Sequence, residues 1–207
     1  LMMPKFQNIY GNREGELMSW GNKLEPPTNY DPTDFFNTGV TELNGFTMTT
    51  GTEKNQTYAS ISTTNSTGIL PNNAYNRYNF SLRNTAKFCN DKLTLDLGAQ
   101  YIIQNNKNMV GSGQYFNPLV SLYLFPRGEN FQEVQMYERY SESRNIMTQY
   151  WPTAIFGTDL DMQNPYWIMN RMQNRMSKRR YMFNASLKWE IASWLNVTGR
   201  VRVDNSD

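Results

Sequence analysis

The chain has 207 residues, 39% hydrophobic and 14% aromatic, and its 20 basic and 18 acidic side chains leave a formal charge of +2. That balance argues against a nucleic-acid partner. With no histidine, serine triads, cysteine–histidine pairs and histidine-ligated zinc are outside the chain's own repertoire, and the single cysteine, Cys89, has no partner for an internal disulfide.

No run approaches the roughly 18 apolar residues of a membrane-spanning helix, but barrel strands hide their hydrophobicity by alternation, so a negative mean hydropathy does not bear on them. The sequence opens at Leu1 without a signal core and stops at Asp207 just after a strand pattern, and reads as an internal piece of a longer protein.

Residues 1–35 mix Pro, Asn, Gly and aromatic residues without periodicity, and Pro26-Pro27 and Asp31-Pro32 interrupt any element, which predicts a loop. An irregular strand is expected from about Phe36 to Gly51, a polar turn at 51–55, a second strand from Gln56 to about Asn65, and a loop over 66–74. The clearest element follows. Tyr78, Phe80, Leu82, Asn84, Ala86 and Phe88 alternate with a polar set, and after Cys89-Asn90-Asp91-Lys92 the alternation resumes at Leu93, Leu95, Leu97, Ala99, Tyr101 and Ile103. Period two predicts a hairpin in which Phe88 faces Leu93, Ala86 faces Leu95 and Tyr78 faces Ile103. Asn90 and Asp91 suit the positive φ angles of a tight turn.

From about Gln104 to Arg180 no strand is predicted. Phe131, Val134, Tyr137 and Tyr140 near helical spacing suggest a helix within Glu129–Ile146, and Ile168, Met172 and Met176 recur every four residues, the mark of an apolar face packed on the protein. A last hairpin sets Tyr181, Phe183, Ala185, Leu187, Trp189 and Ile191 against Leu195, Val197, Gly199, Val201 and Val203 across a loop at 192–194.

Strands of soluble domains average about 5–6 residues. The ten steps from Tyr78 to Phe88 span about 33 Å, or about 24 Å of height at a 45° tilt, close to the apolar band of an outer-membrane barrel. The turns at 51–55, 89–92 and 192–194 are short and fall at one end; the links 66–74 and 104–180 and the leader 1–35 fall at the other, as short periplasmic turns and long external loops do. The expected fold is therefore all-β, an antiparallel transmembrane β-barrel fragment of about six strands. Residues 1–35 form an extracellular loop, 36–103 barrel strands with short periplasmic turns, 104–180 a long extracellular loop and 181–207 a barrel hairpin. Phe88, Trp189 and Trp194 would form the periplasmic aromatic girdle, and Tyr78, Tyr101, Tyr181 and Phe183 the external one. Arg77, Arg83, Lys87, Asp96, Lys188, Arg200 and Arg202 would face a lumen.

Several segments bring a family into view: "YDPTDFFNTG" (30–39), "TYASIS" (57–62), "TGILPNNAYNRYNFSLR" (67–83), "DKLTLDLGAQYI" (91–102), "NPLVSLYLFPRG" (117–128), "NPYW" (164–167) and "ASLKWEIASWLNVTGRVR" (185–202). With these in order, the chain resembles the SusC/RagA-like TonB-dependent outer-membrane transporters along nearly its whole length. The resemblance implies a barrel of about 22 strands with a plugged lumen, in the outer membrane of a Gram-negative bacterium, importing oligosaccharide or oligopeptide without chemical change. It implies a SusD-like surface lipoprotein as lid, and TonB as the energy source through an amino-terminal region not present in this sequence. It implies neither enzyme chemistry nor a cofactor.

Trp20, Tyr115, Tyr123, Tyr150, Trp151, Tyr166 and Trp167 sit in the expected external loops, where flat aromatic faces suit sugars or peptide side chains; loop packing and contact with the lid are the competing readings. Arg127, inside Phe125-Pro126-Arg127-Gly128, is either a ligand contact or part of a structural turn. Arg171, Arg175, Lys178, Arg179 and Arg180 form a basic cluster suited to lipopolysaccharide phosphates at the outer rim, or to plain solvation. Asp159 and Asp161 are too few oxygen ligands to predict a metal site. Five Asn-x-Ser/Thr sequons, beginning at Asn55, Asn65, Asn79, Asn184 and Asn196, fit chance in an Asn- and Thr-rich chain. The rival from another class is a soluble secreted β-sandwich that binds glycans through its aromatic loops and buries its apolar strand faces in a core.

Overall fold

The computed structural model describes residues 10, 21–23, 25, 31–125, 130–151 and 162–207. Two compact units emerge: a sheet unit of residues 40–67, 74–107 and 175–207, and a loop unit of residues 1–39, 68–73 and 108–174.

The sheet unit is one six-stranded antiparallel sheet. Its strands are β1 (Val40–Gly51), β2 (Asn55–Thr67), β3 (Ala74–Phe88), β4 (Leu93–Lys107), β7 (Arg175–Ala192) and β8 (Leu195–Ser206), in the order β1-β2-β3-β4-β7-β8. Each strand pairs its sequence neighbour within this sheet, so the short turns after β1, β3 and β7 share one end, and the ends of β2 and β4 that open into long connections share the other. The β3–β4 register pairs Phe88 with Leu93, Ala86 with Leu95 and Tyr78 with Ile103, as the alternation predicts. Its turn places Cys89, Asn90 and Asp91 at φ 54°, 53° and 66°, a left-handed run that Asn and Asp tolerate better than most residues. Gly51, at φ 152°, closes β1 where a Cβ would stand 2.2 Å from the Asn55 carbonyl oxygen, so glycine is needed for that approach.

Directly opposed residues of an antiparallel pair lie on one face, so the register can be followed across the whole sheet. One face carries Phe46, Ile61, Phe80, Tyr101 and Tyr181 in a row, with Met48, Ala59, Leu82, Ala99, Phe183 and Val203 in the next. The row of Phe88, Leu93, Trp189 and Val197 closes that face at the short-turn end. The other face carries all seven of Arg77, Arg83, Lys87, Asp96, Lys188, Arg200 and Arg202, together with apolar Leu43, Tyr58, Ile102 and Met182.

Three expectations are corrected. β3 and β4 extend to Ala74 and Lys107, and β7 begins at Arg175, so Arg175, Lys178, Arg179 and Arg180 stand on a strand and not in a loop. Backbone pairing carries the ladder past the alternation: Ile102 to Lys107 meet Arg180 to Arg175 in unbroken register, and polar residues on both faces give no period-two signal. Among the described residues 130–146 no α-helix forms. Phe131–Gln135 makes a 3-10 turn capped by Asn130, and Glu138–Ser141 (β5) pairs with Ile146–Gln149 (β6) in a hairpin whose Asn145 takes a left-handed φ of 54°. The four-residue spacing from Ile168 to Met176 is also not one helix, since α2 (Pro165–Arg171) ends before Met176, which belongs to β7.

The loop unit has its own core of Phe35, Leu70, Leu122, Phe125, Phe131, Val134, Met162, Ile168 and Met169. Three of its short helices start alike. Asp31, Asn117 and Asn164 each precede a proline and accept a hydrogen bond from the backbone N–H two residues on, at 2.9, 3.0 and 2.9 Å, opening a 3-10 turn at Pro32, α1 (Pro118–Leu124) and α2. Proline at the first helical position gives up an N–H that would have no partner, and the Asx side chain satisfies the next one.

Candidate functional site

The loop unit holds most of the candidate aromatic residues and divides them by environment. Trp151 stacks on Phe125 with ring centroids 6.5 Å apart, and its indole N–H donates to the Met162 carbonyl at 3.1 Å. Tyr166 meets Phe35 edge-on at 5.0 Å. Burial pushes the Tyr166 hydroxyl above the usual tyrosine pKa, and its hydrogen bond with Gln135 partly offsets this. Both rings therefore pack on the unit's core. Trp167 is half-buried on α2, while Tyr115 and Tyr123 are exposed, Tyr115 edge-on to Phe116. Tyr150 follows β6 with the Arg139 guanidinium 4.9 Å from its ring centre, a cation–π geometry. Trp20, Arg127, Asp159 and Asp161 lie outside the described residues. No group of metal-ligating side chains occurs among the described residues.

Asn164 locks these pieces together. Fully buried, it caps α2 through its carbonyl oxygen and donates from its amide nitrogen to the Val134 and Tyr150 carbonyls at 2.9 and 3.0 Å, while its backbone N–H donates to Gln149 at 2.6 Å. Arg171, on the last turn of α2, grips Glu138 with two hydrogen bonds of 2.6 and 2.8 Å, tying α2 to β5. That guanidinium holds the Glu138 carboxyl below the usual carboxylate range. The loop at 68–73 seats Leu70 in the core, and Asn73 donates to the Asn108 carbonyl at 2.8 Å. Asn164 and Asn73 were not marked in the sequence as sites, but the dipeptides Asp31-Pro32, Asn117-Pro118 and Asn164-Pro165 carried a readable signal for helix starts.

The sheet unit offers two different surfaces. On the polar face, Arg83, Asp96, Asn184, Ser186, Arg200 and Arg202 line a hollow of about 370 Å³. Thr85 donates to Asp96 at 2.5 Å there, and the Asn184 side chain fills the place a Cβ would take at Gly98. On the apolar face the large side chains remain exposed: Phe46 is 68% exposed, Phe80, stacked on Tyr101, 39%, and Phe183 45%. Soluble monomers rarely expose an apolar patch that spans a whole sheet.

Arg171, Arg175, Lys178, Arg179 and Arg180 are divided between the two units and, on β7, between the two faces of the sheet. Arg171 belongs to the loop unit and pairs with Glu138, and Arg180 makes a two-pronged pair with Asp204 at 2.6 and 2.8 Å. Along β7, Arg175 and Arg179 lie on the apolar face, and Lys178 and Arg180 on the polar one. No helix among the described residues is long and apolar enough to cross a membrane, a fact that does not bear on strands. No protein-family model matches the chain, and no curated protein matches it.

Proposed function

We propose that the chain forms barrel strands and external loops of an outer-membrane, TonB-dependent nutrient importer of the SusC/RagA-like kind. In this reading it works with a SusD-like lipoprotein, draws on TonB through a region outside this sequence, and moves an oligosaccharide or oligopeptide unchanged. The observation that carries the reading is the two-faced sheet. Its strands run from 12 to 18 residues, and it keeps one register of exposed apolar side chains across all six. Lipid is the environment in which such a face needs no protein cover. A soluble sandwich needs a second sheet over that face; the other sheet among the described residues has two strands of four residues.

The apolar face would then meet lipid between girdles at Phe88, Trp189 and Trp194 on the periplasmic side and Tyr78, Tyr101, Tyr181 and Phe183 on the external side. The charged face would line a polar interior, and the loop unit, held by Asn164 and the Arg171–Glu138 pair, would present Tyr115, Tyr123 and Tyr150 to ligand or lid. The test is cell fractionation with peptide mapping of residues 75–103. An outer-membrane band much heavier than this chain, with mobility changed by boiling, supports the reading; a soluble band near 24 kDa overturns it. Leu97→Arg, at mid-height of the apolar face, is expected to cost about 2–4 kcal/mol and to reduce insertion.

A further inference from the structure

On the apolar face, Ala59 and Ala99 leave hollows in the row that otherwise holds Met48, Leu82 and Phe183. Bounded by Phe46, Ile61, Phe80, Tyr101 and Tyr181, they form an apolar groove of about 540 Å³. Such a lining recognises an acyl chain and offers a sugar or a peptide backbone few polar partners. The same face changes character just beyond the groove. Arg179 lies two residues past Tyr181, about 7 Å along the strand, and is exposed; Arg175 lies four residues further, directly opposite Lys107 of β4. The ligand this arrangement fits has an apolar chain at one end and anionic oxygens at the other, and phosphate is the group that guanidinium forks match in geometry.

We infer that this groove and the cations Arg179, Arg175 and Lys107 form a binding site for lipopolysaccharide, with an acyl chain along Ala59 and Ala99 and a phosphate against the cations. The inference rests on the outer-membrane reading, in which the end of the sheet with the long connections faces outward, where lipopolysaccharide is the outer-leaflet lipid. It differs from a general basic rim: Lys178 and Arg180 lie on the other face, Arg171 belongs to the loop unit, and Lys107 joins.

The protein as its cells make it, purified in detergent, is exposed to vesicles containing lipopolysaccharide, to phosphatidylglycerol vesicles and to phosphatidylcholine vesicles, and bound lipid is measured against salt. Retention of lipopolysaccharide over both phospholipids is expected, with about a fivefold loss for each of Arg179→Ser and Lys107→Ser and a shallower salt dependence. Ala99→Phe, which fills the groove without altering charge, is expected to weaken retention equally at all salt concentrations. Change of gel mobility on boiling monitors folding of every variant. If correctly folded variants keep lipopolysaccharide as wild type does, the site is refuted and the importer reading survives. Equal retention of phosphatidylglycerol also overturns it. A protein with no heat-modifiable membrane form overturns both.

Discussion

Asn164 is the residue on which the loop unit depends most, because each polar atom of its side chain is used inside the protein and none is exposed. Asn164→Ala removes a helix cap and leaves two buried carbonyls without a donor, so about 2–4 kcal/mol of local stability should be lost. Asn164→Asp keeps the cap and loses the donors. Hydrogen exchange at α2 and around Val134 and Tyr150 should rise most in the alanine variant, while the β3–β4 ladder stays unchanged. Glu138 gives a second prediction. Its carboxyl is depressed in the folded state, chiefly by the hydrogen bond from Arg171, so the pair's contribution is complete above the ordinary carboxylate value and is lost as pH falls through the lowered one. Amide protection in β5 and β6, relative to the intrinsic exchange rate at each pH, should therefore fall on acidification below about pH 4.5, and Glu138→Gln should remove that response. The effect should be small, because Arg171 is half exposed and surface pairs are screened. Of this only the helix start at Asn164-Pro165 was readable in the sequence, where Glu138 was an ordinary acidic residue; the burial of Asn164 and the partners of both came with the tertiary contacts.

At the scale of elements, the turns show how local chemistry sets geometry. Cys89 takes a left-handed φ next to Asn90 and Asp91, a conformation that costs a residue other than Gly, Asn or Asp about 1–2 kcal/mol. Cys89→Asn should stabilise the β3–β4 turn by about 0.5 kcal/mol, measured as a shift in denaturation midpoint, because asparagine adopts this region more readily. Gly51→Ala should act in the opposite sense, costing about 1–3 kcal/mol of strain and loosening the β1–β2 end. The β3–β4 hairpin was legible because alternation over eleven residues leaves one register. The first six residues of β7 were not, because Arg175 to Arg180 are nearly all polar and only their pairing with Lys107 to Ile102 makes them a strand. The hairpin at β5 and β6 was read as helix because four apolar side chains near a spacing of three to four residues satisfy either template over so short a stretch. Asn145, at a left-handed φ, makes the turn between the two strands.

For the whole molecule, the six-stranded sheet has edges at β1 and β8 and an uncovered apolar face. Long unpaired edges and apolar patches drive association in water. The 207-residue chain by itself should therefore aggregate without detergent and disperse with it, as light scattering would show; a stable monomer in plain buffer would contradict the membrane-facing role proposed for this face. The sequence determined the strands' two-sidedness, the short turns at one end and the all-β class, because period two is a local property that each strand carries alone. The tertiary structure decided the rest. Strand pairing set the full length of β4 and β7 and divided the basic residues between two faces, and it brought Lys107 opposite Arg175. Packing set Trp151 and Tyr166 against the loop unit's core and made Asn164 a buried anchor. These outcomes depend on residues far apart along the chain, and no spacing within one segment encodes them.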